Sequence, residues 1–340
     1  MIEFLGRKFL QQLPAEKAHD LSIKLLNSPF SLLAHNKQIS HPVELFGVTF
    51  KNPVGLAAGF DKNADAVNGL SKLGFGFIEV GTVTPKPQDG NPKPRLFRLS
   101  KNQAIINRMG FNNKGVDYLV NKLKRCRPNI VIGINIGKNK NTPNKSAADD
   151  YLICFKKVHQ LADYVTVNIS SPNTQDLRQL QEAENLAKLL KTLKKSQLTL
   201  QEESGKYTPI VVKIAPDQCD EATIEIAKTI KKVGMDGIIC TNTTVSKNNL
   251  KKESHIKEAG GLSGKPLNIR SNEIIRLCRK ELGSDFPIIG VGGILTDDDA
   301  MSKITAGADL VQIYTGLIYQ GPQLIKHINK KLITESQLKN

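Results

Sequence analysis

The sequence predicts an α/β chain, a (β/α)8 TIM barrel preceded by an amphipathic two-helix extension. Three observations predict it. Eight short apolar or β-branched runs recur after residue 41, at 54–58, 77–83, 130–136, 164–169, 210–214, 237–241, 287–291 and 310–314. Helical patterns fill the intervals, as at 147–160, 222–233, 268–282 and 297–306. Polar residues gather after nearly every run. The runs are continuously apolar rather than alternating, as parallel strands covered on both faces must be. Eight such units is the count of a closed barrel. An open doubly wound sheet fits less well, because it would collect its polar residues at one switch point.

Residues 1–40 have a different texture. Ile2, Leu5, Phe9, Leu10 and Leu13 share one helical face, with Arg7, Lys8, Gln11 and Gln12 mostly on the other. Pro14 ends that segment and suits the start of the next, where Ala18, Leu21 and Leu25 repeat the stripe. Ser28-Pro29 closes it, and Phe30, Leu32 and Leu33 add apolar surface. Two short helices joined at a sharp turn could be a hairpin packed on the main domain. That is the reading to favour unless something else points to lipid; the functional alternative is a membrane-surface hood with a mouth for a hydrophobic ligand. The expected domains are 1–40, helical, and 41–340, the barrel.

Charge narrows the partners less than it first suggests. Lys and Arg number 48 against 32 Asp and Glu, a net charge of +16. That excess favours anions without choosing among nucleic acid, acidic lipid and a phosphorylated ligand. The basic runs 188–195 and 247–252 carry no interleaved aromatics, and 5% aromatic content without Trp is thin for stacking on bases. They read as solvated faces, and no nucleic-acid partner is expected. Cys126, Cys154, Cys219, Cys240 and Cys278 are scattered, with no CxxC pair and no HExxH nearby. Reduced thiols are expected, without a structural zinc or iron–sulfur site. Glu3 and Arg7 interrupt the start, so no secretory leader is expected. No apolar run approaches the roughly eighteen residues of a membrane-spanning helix.

In a barrel of this kind the carboxyl ends of the strands assemble the active site. Strand one ends in Ala58-Gly59-Phe60-Asp61-Lys62 and strand two in Gly81-Thr82, while strand three carries Asn135. Strand four ends in Asn168-Ile-Ser-Ser-Pro-Asn-Thr174, and strand five supplies Lys213. Strand six ends in Thr241-Asn242-Thr243, strand seven in Gly292-Gly293 and strand eight in Tyr314-Thr315. Amides or ammonium groups at one end of so many strands are hard to treat as structural, since each buried polar group needs a partner. Two motifs can be set aside. Gly264-Lys265-Pro266 fails as a phosphate loop because Ala259 stands where its leading Gly belongs, and Leu295 replaces the third Gly of a dinucleotide fingerprint.

Five motifs stand in order along the chain: Ala57-Ala-Gly-Phe-Asp-Lys62, Asn107-Arg-Met-Gly-Phe-Asn112, Asn168-Ile-Ser-Ser-Pro-Asn-Thr174, Gly261-Leu-Ser-Gly264 and Gly290-Val-Gly-Gly-Ile294. Through them the chain resembles the dihydroorotate dehydrogenases over essentially its whole length. The resemblance implies FMN as hydride acceptor, its phosphate on the backbone of Gly264, Gly293, Tyr314 and Thr315. It places Lys213 beside the flavin ring, with Ala58, Gly59, Phe60, Asp61, Lys62, Thr82, Asn135, Asn168 and Thr241 as further cofactor contacts. For dihydroorotate it implies the amides of Asn107, Asn168, Asn173 and Asn242, and Lys62 for the carboxylate. The backbone of Arg108, Met109, Gly110 and Phe111 and the Thr243 hydroxyl complete that set.

Ser171 is the base the resemblance implies, in preference to Ser170. A serine hydroxyl is almost never ionised near neutral pH, so its proton must pass onward, through Thr174 and water. The family's soluble branch, which uses fumarate or NAD, carries Cys at that place. Here the loop has no Cys and the amphipathic extension is present, which implies the quinone-using branch. The resemblance therefore implies ubiquinone or menaquinone as acceptor, peripheral contact with the bilayer on the cytoplasmic side of the cell membrane, and no iron–sulfur partner subunit. The rivals are the soluble branch and a basic barrel that binds anionic lipid or nucleic acid without redox activity.

Overall fold

The computed structural model describes residues 2–29, 31, 36, 38–126, 128–174 and 177–338, with side chains from residue 6 onward. The apolar surface expected from Phe30, Leu32 and Leu33, and the side chains of Ile2 and Leu5, lie outside the described residues.

Eight parallel strands close a barrel: β1 Val54–Leu56, β2 Phe77–Val83, β3 Val131–Ile136, β4 Tyr164–Asn168, β5 Ile210–Ile214, β6 Gly237–Cys240, β7 Ile288–Val291 and β8 Leu310–Ile313. Each pairs with its sequence neighbours, and β8 closes on β1 through Val311 opposite Val54. Every strand residue is buried, which is why these runs carry no polar alternation. The register brings Asn135 level with Gly81, and Lys213 level with Asn168. Asn135 is also level with Thr166, two residues before Asn168 on β4.

The predicted helices at 147–160, 222–233, 268–282 and 297–306 appear as Ala147–Val158, Asp220–Lys232, Asn268–Leu282 and Asp297–Ala306. The last opens on a reciprocal cap, Thr296 accepting from the Asp299 N–H while Asp299 accepts from the Thr296 N–H. The basic run 188–195 lies on helix Ala183–Ser204, which buries Leu186, Leu189, Leu190 and Leu193 and turns Lys188, Lys191 and Lys195 to solvent. Several predicted strands overshoot, because residues 57, 58, 241 and 314 lie past the last ladder bonds, where the backbone turns away at the tips.

The amino end of the barrel is plugged with rings. An antiparallel hairpin, Val43–Leu45 with Val48–Phe50, sets Phe50 edge-on to Phe77 at 5.1 Å. Tyr164 fills the centre so tightly that a Cβ on Gly133 would lie 2.2 Å from its ring. Only glycine fits there.

Two features cover the carboxyl end. A three-stranded antiparallel sheet joins Leu96–Leu99, Ala104–Asn107 and Gly261–Gly264. The expected extension is present as α1, Ile2–Gln12, and α2, Ala15–Leu26, meeting at Pro14 in extended backbone. Arg95 binds it, with Nη2 and Nε 2.9 and 3.1 Å from Glu16 Oε1. Arg98 reaches the α1–α2 junction, where it donates to the Gln11 and Leu13 carbonyls. Ile23 and Leu26 pack on the barrel core. Among the described residues no helix is long and apolar enough to cross a membrane.

Candidate active site

The strand tips enclose a cleft of about 1040 Å³, counting its open mouth. Most of the predicted residues line it. Ala58, Gly59 and Lys62 come from the β1 tip, Thr82 from β2, Asn168, Ser171 and Asn173 from β4, and Lys213 from β5. Thr241, Asn242 and Thr243 follow β6, Gly293 follows β7, and Tyr314 and Thr315 follow β8. The covering sheet and its neighbourhood add Asn107, Met109, Gly110, Phe111 and Gly264.

Four predicted residues stand behind the wall instead. Asn135 is fully buried, one hydrogen bond below the surface of the cleft. Asp61 turns away and accepts from the N–H groups of Asn63, Asp65 and Ala66, which folds the β1 loop. Burial raises its pKa, and those three backbone bonds oppose the rise. Phe60 packs between His19, at 5.4 Å, and Tyr314, at 5.8 Å. Arg108 leaves the cleft to pair with Glu258 at 2.6 Å across the Phe97 ring. Its guanidinium also donates to the Ala259 carbonyl at 3.3 Å and the Pro94 carbonyl at 2.9 Å, outside the cleft.

Below the cleft a chain of amides has one direction. Glu79, fully buried, accepts from Asn135 Nδ2 at 2.7 Å. Asn135 Oδ1 must then face outward, where it accepts from Thr82 Oγ1 at 2.6 Å and Asn168 Nδ2 at 3.1 Å. Asn168 Oδ1 in turn accepts from Asn242 Nδ2 at 3.3 Å and Ser170 Oγ at 3.2 Å. Ser170 also accepts from Asn242 at 2.9 Å, so its hydroxyl is committed in both senses and lies behind the wall. Ser171 differs. It lines the cleft, and among the described residues its Oγ accepts only the Asn173 N–H, at 3.2 Å, which leaves its proton to give. Nearby, Asn173 Nδ2 donates to Asn107 Oδ1 at 3.1 Å, and the buried Thr174 hydroxyl lacks a partner among the described residues.

Two cations face this cleft. Lys213 is buried, with no hydrogen-bond or ion-pair partner among the described residues. Burial lowers its pKa, and the Glu79 charge opposes that drop. Lys62 is held down to about 8, first by burial and then by Arg95, against the pull of Glu16, Asp20 and Asp61. A partnerless buried ammonium fits a bound anionic or carbonyl-rich group. The glycines fit a flat one. Gly59 has φ +98, a backbone conformation that favours glycine, and lines the cleft, where an ideal Cβ would lie 3.5 Å from the Tyr314 ring.

The family model for dihydroorotate dehydrogenase matches residues 41–335. The chain belongs to the dihydroorotate dehydrogenase family. A dihydroorotate dehydrogenase (quinone) of Chromobacterium violaceum is 54% identical over 329 residues, 96% of each chain. Its counterpart in Vibrio parahaemolyticus is 52% identical and aligns with 98% of this chain and 100% of its own. The ferulenol complex of Eimeria tenella DHODH superposes with a TM-score of 0.90 at 40% identity, covering 95% of this chain and 92% of the other.

The sequence reading of this dihydroorotate dehydrogenase fold missed three contributors. Gln312 lines the cleft from within β8, and its Nε2 donates to Glu79 at 2.8 Å. A lone Gln in an otherwise apolar strand was the available signal. Ser263 lines the wall and shares a hydrogen bond of 2.8 Å with Thr315. Arg178 ties the β4 loop to the β6 loop, donating to Ser170 O at 3.2 Å and Thr243 O at 3.1 Å while pairing with Asp217 at 2.7 Å. Nothing local in the sequence announces that bridge.

Proposed function

We propose that this chain oxidises (S)-dihydroorotate to orotate in pyrimidine nucleotide biosynthesis, with FMN as hydride acceptor and a membrane quinone as final electron acceptor. The observation that carries the reading is one cleft holding the Lys213 ammonium, the Ser171 hydroxyl and the directed asparagine amides.

FMN, when bound, supplies the two-electron acceptor for the hydride. The chain's own residues supply the rest. Asn107, Asn168, Asn173 and Asn242 present donors and acceptors to the edges of a pyrimidine, and Lys62 offers charge to its carboxylate. Ser171 Oγ takes the ring proton. Because a free hydroxyl is a weak base, this works only as its own proton leaves, and the unpartnered Thr174 hydroxyl offers the next stop. Lys213 favours negative charge on whatever ring lies against it. The backbone of Gly264, Gly293, Tyr314 and Thr315 lines the wall suited to a phosphate, next to the start of helix Thr315–Gln320, whose first N–H groups have no intrahelical acceptor.

A second route supports a hydrophobic electron acceptor. From α2, His19 meets Phe60, Phe60 meets Tyr314, and Tyr314 lines the cleft. Burial, reinforced by Lys62, pushes His19 down to about 3, so this row of rings is uncharged at neutral pH. It leads outward to the 1–40 extension, where Phe9 is 56% exposed. We assign that extension to quinone entry and to peripheral contact with the cytoplasmic side of the membrane, with 41–340 as the catalytic barrel.

One anaerobic experiment tests the reading. Dihydroorotate should bleach the flavin absorbance of the purified protein, and a ubiquinone analogue, not fumarate, should restore it. A protein that remains colourless with FMN, or that turns over with fumarate in preference, refutes it.

A further inference from the structure

Helix Asp297–Ala306 carries a lysine in an unusual place. Lys303 has no exposed surface, yet no carboxylate pairs with it among the described residues. Its Nζ donates to Asn272 Oδ1 at 2.7 Å and lies 3.5 Å from the Asn268 carbonyl oxygen. Burying a charge with no opposite one in contact is unfavourable, and Asp299 on the same helix offsets it only from a distance.

The hydrogen bonds lead toward the cleft. An ammonium can only donate, so Asn272 must offer it oxygen and turn its Nδ2 to Asn268 Oδ1, at 3.2 Å, and to Ser302, at 3.0 Å. Asn268, its oxygen thereby taken, donates Nδ2 to the Gly293 carbonyl at 3.1 Å and to Asp299 Oδ1 at 3.3 Å. Gly293 adopts φ +76, and a Cβ on it would lie 2.5 Å from the Asn268 backbone, so turn and helix start are in close contact. Three hydrogen bonds thus connect a buried positive charge to the cleft wall assigned above to the phosphate.

We propose that Lys303 is a positioning residue for the flavin phosphate. Through Asn272 and Asn268 it fixes the Gly292–Gly293 turn, and it supplies the buried positive charge behind that turn. This rests on the flavin reading and adds to it a residue outside the cleft.

The charged and titratable surroundings decide the pH behaviour. Asp299 acts from the same helix, Arg276 and Cys278 from helix Asn268–Leu282, and Cys240 from β6, while β7 offers only Gly290 against the lysine stem. Burial holds Lys303 down to about 7, helped by Arg276 and opposed by Asp299 and Cys240. A phosphate dianion in front of the turn holds the ammonium charged. Above pH 7, binding therefore draws a proton from solution.

The test strips the full-length chain of flavin and titrates it with FMN by calorimetry at pH 8 in two buffers of different ionisation enthalpy. The wild type should take up a fraction of a proton. Lys303→Met should take up none and bind FMN on the order of tenfold more weakly at pH 6.5, an effect that shrinks by pH 9. Riboflavin, which lacks the phosphate, should bind both proteins equally. Equal proton uptake by the two proteins, or equal weakening of FMN and riboflavin, overturns the proposal. If Lys303→Met fails to fold, Asn272→Asp decides: it pairs Lys303 in place and removes the donor to Asn268. It should weaken FMN and not riboflavin, and unchanged FMN binding overturns the proposal. Failure of the wild type to bind FMN at all would strike the flavin reading itself.

Discussion

Glu79→Gln perturbs the point from which the amide chain takes its direction. In the wild type Oε1 accepts from Asn135 at 2.7 Å, and Oε2 accepts from Gln312 at 2.8 Å and from the Tyr164 hydroxyl at 3.0 Å. Glutamine fills the same volume but replaces one acceptor with a donor and removes the charge. Three charge-assisted bonds of about 2 kcal/mol each become neutral bonds of about 1 kcal/mol. Gln312 can flip to accept from the new amide, since its Oε1 lacks a partner, but its Nε2 is then a buried donor without an acceptor. That adds about 1–2 kcal/mol, and relief of the buried carboxylate returns a similar amount. The expected net loss is about 3 kcal/mol.

Urea unfolding of the flavin-free protein at neutral pH, followed by circular dichroism, measures this as a lower midpoint at unchanged slope. The pH dependence has a definite sign. Without Glu79 nothing opposes the burial that lowers Lys213, so its folded pKa falls further below the unfolded one. The deficit is then greatest where Lys213 must stay charged, and it diminishes as the pH rises through the folded value. A loss below about 1 kcal/mol, or one that grows with pH, would refute the argument that this carboxylate anchors the chain.

Ser171→Ala should leave FMN binding intact and slow flavin reduction by dihydroorotate on the order of 10²–10⁴-fold in stopped-flow absorbance. An unchanged rate removes Ser171 from the chemistry. Glu16→Gln should lower quinone-dependent turnover several-fold and leave flavin reduction unchanged, because Arg95 then loses the carboxylate that docks α2. Burial alone would raise the Glu16 pKa, but hydrogen bonds and charge from Arg95 and Lys93 hold it below the ordinary value. The docking should therefore be complete above pH 4.5 and fail as the pH falls through that lowered value. Arg178→Gln should raise the KM for dihydroorotate by about tenfold with a smaller effect on FMN affinity, read from steady-state kinetics and a flavin titration.

The barrel was legible because burial on both faces leaves a strong mark. A run such as 210–214 can hardly be anything but an inner strand, and its Lys213 stands out by contrast. The cleft was legible for the same reason, since polar groups at the ends of apolar runs have few structural excuses. Pairings between distant segments were not legible. Gly261–Gly264 pairs with Ala104–Asn107 across more than 150 residues, and no local periodicity encodes such a partner. Asp61, expected among the cofactor contacts, lies in a motif whose neighbours line the cleft while its own side chain lies behind the wall. Only the three-dimensional turn shows that its carboxylate faces the backbone N–H groups of its own loop.

Glu79 and Lys303 share a logic that ties these observations together. An asparagine amide can be turned end for end at almost no steric cost, so a pocket lined by such groups has no inherent polarity. A residue that can only accept, or only donate, removes that freedom for every amide linked to it. Glu79 imposes one sense on Asn135, Asn168 and Asn242 beneath the cleft. Lys303 imposes the opposite sense on Asn272 and Asn268 behind the Gly293 turn. Each charge is placed where water cannot reach it and is separated from the cleft by neutral groups. The site is thereby oriented by charges that never touch what it binds. Neutralising either one should disturb recognition without removing a single contact residue.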